Sequence, residues 1–93
     1  MTSDQLYEHL EDLARQLGIS IRHEDLSHPE LKATSGLCKI KGRRYYIMDR
    51  SKPLEERITL LADCLGQMNL EGVYMLPALR VFLTGGTVKG EEG

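Results

Sequence analysis

Leu6, Leu10, Leu13 and Leu17 recur at helical spacing, while Glu8, Glu11, Asp12 and Arg15 fill the other positions, so the pattern predicts an amphipathic helix over about 3–17. Thr2 and Gln5 form a capping-box pair at its start, and Gly18 suits its end. Ile19 to His23 then alternates apolar and polar, the period of a half-buried strand, before acids and the Ser27-His28-Pro29-Glu30 turn interrupt it. Residues 31–35 carry neither period and read as a loop or a ragged edge. The runs Leu37–Ile40 and Arg44–Met48 flank Gly42, which fits a hairpin with a primed two-residue turn. Such a turn puts Cys38, Ile40, Tyr45 and Ile47 on one face, expected to be the core side. Lys39, Lys41, Arg44, Tyr46 and Met48 fall on the other, expected to be basic and wetter.

Pro53 followed by Glu55 and Glu56 marks a second helix over about 53–66. Leu54, Ile58, Leu61, Leu65 and Met68 form its apolar stripe, and Glu56, Asp63 and Gln67 project from the opposite side. Residues 73–76 have no clear type; Pro77 opens a short helix over about 77–83, and the glycine-rich residues 84–93 read as a disordered tail. The fold class that follows is α+β: a small antiparallel sheet built on a central hairpin at about 37–48, packed by the three helices within one domain, 1–83.

Composition changes this picture little. Ninety-three residues with 41% hydrophobic and 28% charged side chains suffice for one core without metal or disulfide staples. A net charge of −2 argues against a protein that coats nucleic acid or acidic membrane. The acidic N-terminus lacks the apolar stretch of a signal peptide, so a cytoplasmic location is expected. There, Cys38 and Cys64 are expected to be small buried side chains and not a disulfide.

The second helix also carries the one family resemblance in the chain. Preceded by the hairpin, Leu61-Ala62-Asp63-Cys64-Leu65-Gly66-Gln67 resembles the Leu-Ala-His-Glu-Leu-Gly-His pattern of the zincin-like metallopeptidases of the ImmA/IrrE class. Leu61, Ala62, Leu65 and Gly66 match the frame. Asp63 and Gln67 stand where that family has zinc-binding histidines, and Cys64 stands where it has the catalytic glutamate. Zinc hydrolysis of this kind needs two imidazoles one helical turn apart and a carboxylate base. The resemblance therefore implies a relative that has lost catalysis, with no catalytic residue, metal or cofactor expected. His9, His23 and His28 include no pair at i, i+4. Cys64, beside the apolar stripe, is a poor nucleophile.

Lys39, Lys41, Arg43, Arg44, Arg50 and Lys52 supply half of the twelve basic residues. With Tyr46 on the same face as Lys39, Lys41 and Arg44, the hairpin suggests a phosphate-contacting, base-stacking surface, which is one reading. The other is a solvated face that blunts edge pairing. Val73, Tyr74, Met75, Leu76 and Phe82 add apolar surface beyond the helix stripes and suggest an interface. The favoured reading is a non-enzymatic domain acting as a homodimer or with a protein partner, without membrane association. A nucleic-acid module is the alternative, and a metal-dependent hydrolase with unrecognised ligands the second alternative.

Overall fold

The computed structural model describes residues 1–27 and 35–84, so the readings of His28, of residues 31–34 and of the tail from 85 onward lie outside the described residues. Helix α1 spans Ser3–Gln16. Its start is the expected capping box: the Thr2 hydroxyl accepts the Gln5 amide at 3.1 Å and the Gln5 side chain accepts the Thr2 amide at 2.9 Å. Leu17 caps its other end, and Gly18, at φ 79°, turns the chain into the sheet.

Three strands follow: β1 (Ile19–Glu24), β2 (Gly36–Ile40) and β3 (Arg43–Asp49). Lys41 and Gly42, at φ 52° and 81°, make the two-residue primed turn between β2 and β3. The strand order is β1-β3-β2. The sheet is mixed and not wholly antiparallel, because β1 pairs in parallel with β3, Ile19 beside Arg44 and Ile21 beside Tyr46. The hairpin occupies one side of β3, so β1 can join only on the other side, where both strands run the same way.

That pairing overturns the expected core side of the hairpin. Residues paired in register share a face, so Ile19 and Ile21 lie on the face of Tyr46 and Met48. Tyr46 is 4% exposed and Met48 is fully buried, whereas Ile40 on the opposite face is 46% exposed and Cys38, Tyr45 and Ile47 are half-buried. The two-face sorting of the hairpin holds, with its sides exchanged. The hairpin has apolar residues on both faces, and β1, with Ile19 and Ile21 against Ser20 and Arg22, decides between them.

Helix α2 (Leu54–Gly66) begins one residue later than the sequence suggests, with Pro53 as its N-cap. It packs beside α1 on the Tyr46 face, and α3 (Pro77–Leu83) packs against α2. Leu10, Leu13, Ile19, Met48, Leu61 and Leu65 are the largest fully buried side chains. Each contributes about 1.5–3 kcal/mol by leaving water. Where α3 crosses the end of α2, a Cβ at Gly66 would come within 3.0 Å of the Leu83 carbonyl oxygen, so a glycine stands at the crossing. Among the described residues no helix is long and apolar enough to cross a membrane.

Candidate functional site

The basic hairpin divides. Lys39, Lys41 and Arg43 are exposed, but Arg44 is folded inward, where its guanidinium donates to the Leu17 carbonyl and, at 3.7 Å, to the Met68 sulfur. A cation on the last carbonyls of α1 also meets the negative end of that helix. Tyr46 is a core residue under α2, and burial, followed by the neighbouring Cys64 and Asp63, pushes its hydroxyl above the usual phenol range. It has no free face on which a base can stack. The stacking surface expected on this side of the hairpin is therefore absent, because the helices occupy it.

On α2, Asp63 and Gln67 are exposed one turn apart, and Cys64 turns toward the sheet. Burial raises the Cys64 thiol above its ordinary value, with the Arg44 charge opposing in part. Among the described residues no three His, Cys, Asp or Glu side chains gather as a metal-holding group. The residues framing the zincin-like pattern all have packing roles here. Leu61 and Leu65 are in the core, Ala62 packs against it, and Gly66 makes room for α3.

One constellation has no local signature in the sequence. His23, near the end of β1, places Nε2 3.2 Å from the Tyr7 hydroxyl and 3.1 Å from Glu11, both on α1, while the Arg57 guanidinium of α2 lies 5.1 Å from the centre of the Tyr7 ring. Burial and then Glu11 raise the Tyr7 hydroxyl above its usual range, with Arg57 opposing. The i, i+4 spacing of Tyr7 and Glu11 was legible, but their meeting with His23 and Arg57 depends on three elements coming together. The cluster joins α1, β1 and α2.

The C-terminal segment is different in kind. Tyr74 is 81% exposed, and Leu76, Val81 and Phe82 are exposed as well; Val73 and Met75, expected beside them, are half-buried against the core. Leu79 and Leu83 face inward, so Ala78, Val81 and Phe82 form a second apolar stripe on the outer side of α3. Arg80 is the helix's only charged residue, and its guanidinium turns back to the Val73 carbonyl at 2.7 Å and the Leu70 carbonyl at 3.4 Å. Among the described residues, α3 itself therefore presents no charged side chain on its outer face. Beside it, a cleft of about 250 Å³ between α1 and residues 74–79 is lined by His9, Leu13, Gln16, Tyr74 and Leu76 among others.

The fold and this surface define a small α+β domain whose described residues leave the outer apolar face of α3 exposed. The chain matches no family model, no curated protein and no solved structure.

Proposed function

We propose that this domain is a non-enzymatic interaction module that pairs with a second copy of itself through the outer face of α3 and the adjoining Tyr74–Leu76 segment. The observation that carries this reading is a helix apolar on both sides, whose one charged residue is bound to backbone carbonyls. A helix apolar all round is ordinarily buried. Projecting aromatics beside a cleft suit a closed twofold pair, in which each copy gives the side chain that the other receives. The nucleic-acid alternative retains Lys39, Lys41 and Arg43 but loses Tyr46, its stacking residue.

Sedimentation velocity at about 10 µM tests the proposal, a concentration at which a micromolar dimer is largely formed. A dimer is expected for the wild type and a folded monomer for Tyr74→Glu combined with Phe82→Glu, with circular dichroism confirming the fold. A wild-type monomer, or a double variant that remains dimeric, overturns it.

A further inference from the structure

A second cleft, of about 450 Å³, lies where β1 and β3 begin, and it is lined by Arg15, Gly18, Ile19, Ser20, Gly42, Arg43 and Arg44. Three of its seven lining residues are arginines and none is acidic, in a chain whose net charge is −2. Its local sign is thus opposite to that of the molecule. We infer that this cleft binds the phosphate or diphosphate group of a small molecule.

Arg44 is held in place by the Leu17 carbonyl and the Met68 sulfur, and a guanidinium with two N–H groups so engaged keeps further donors free. Such a prearranged donor fork suits a phosphoryl group, which accepts two parallel hydrogen bonds. Arg43 pairs with Ile40 through its backbone, and its side chain makes no hydrogen bond or ion pair among the described residues. Arg15 is paired only with Asp12, an exposed contact one helical turn away, and such pairs contribute at most about 1 kcal/mol. A dianion can therefore engage both without breaking a buried interaction. The exposed Ser20 lines the same cleft and offers a hydroxyl donor. Gly18 and Gly42 carry no side chains, and a Cβ at Gly42 would meet nothing within 4 Å, so approach to the arginines is open.

The same lining residues exclude a nucleobase as the main contact. None is aromatic, and a single-strand binder reads its ligand largely by stacking. The charged group itself is what this surface recognises, and the site is independent of the proposed pairing through α3.

Amide chemical-shift titration of the full chain with sodium pyrophosphate at about 20 mM salt, where screening is weak, provides the test. Saturable shifts are expected at Gly18, Ser20, Gly42 and Arg43. Arg43→Gln, which removes no internal contact, should weaken binding at least about tenfold, whereas Lys41→Gln, in the same turn but outside the cleft, should weaken it by less than about threefold. Three results would overturn the inference: no saturation by about 10 mM pyrophosphate, equal losses in the two variants, or tighter binding of a single-stranded oligonucleotide with shifts centred on Lys39 and Lys41.

Discussion

Tyr45 and Tyr46 are neighbours in β3, identical in chemistry, and they meet opposite fates. Tyr46 is in the core beneath α2; Tyr45, with Cys38, Ile40 and Ile47, lies on a sheet face that no described helix covers. The hairpin's outer face, with Cys38, Ile40, Tyr45 and Ile47, is the more apolar, since Lys39 and Arg44 share the inner one with Tyr46 and Met48, so the hairpin's own hydrophobicity does not select the inner face. Selection comes from β1, whose Ile19 and Ile21 can be buried only on the Tyr46 side once it pairs with β3. Apolar content is thus a property of each strand, while burial is a property of the assembled sheet.

The comparison can be broken most directly at the two tyrosines. Tyr46→Ala should cost about 3–5 kcal/mol, as for large aromatic truncations in a packed core, and Tyr45→Ala about 1 kcal/mol or less. Urea melts of both variants measure this difference. Equal losses would mean that the outer face is covered in solution. The next pair is smaller. Arg44→Ala should cost about 1–2 kcal/mol because it removes a charged donor from the Leu17 carbonyl, and Arg43→Ala should stay within about 0.5 kcal/mol. Thermal melts would reveal whether both arginines instead behave as solvated surface groups.

The smallest effect is a pH dependence at the far end of the sheet. The Asp49 carboxylate accepts the Ser51 hydroxyl at 2.7 Å, the Ser51 amide at 3.0 Å and the Leu26 amide at 3.2 Å. These contacts, led by the Ser51 hydroxyl and opposed by desolvation, hold its carboxyl below the usual range. A carboxylate depressed in the folded state adds stability above its unfolded value, near 3.9, and that contribution disappears as pH falls through the lower folded value. Asp49→Asn should therefore flatten the rise of stability between about pH 2 and about pH 5, measured by urea midpoints. An unchanged slope would show that the carboxylate's charge plays no part in holding Ser51 and the Leu26 amide.

Much of the fold was legible because it is encoded locally. Thr2 and Gln5, Gly18, Gly42, Pro53 and Pro77 each mark a boundary by a mechanism that acts within a few residues, and the helices and hairpin lie where these marks put them. The parallel register of β1 was not legible, since no short-range signal states whether it will pair with β3 or with the outer edge of β2. The candidate surfaces divide the same way. Leu76, Tyr74 and Phe82 were readable as apolar excess, but the role of Arg80 in binding backbone carbonyls, which leaves the outer face of α3 without charge, depends on a three-dimensional contact. Arg15 and Arg43 likewise meet in one cleft only because Gly18 brings the start of β1 beside the start of β3.

Asp49 also fixes something about the chain's path. Its side chain holds the Leu26 amide just after β1, and its own amide donates to the Ser35 hydroxyl at 2.9 Å, just before β2. Topologically, the excursion from Leu26 to Ser35 is a closed circuit that leaves from one residue and returns to the same residue. The entropy of closing such a circuit grows only with the logarithm of its length, about 0.6 kcal/mol for each doubling. Asp49 therefore fastens both ends of the circuit to the end of β3, and its length is left as a nearly free variable of the fold.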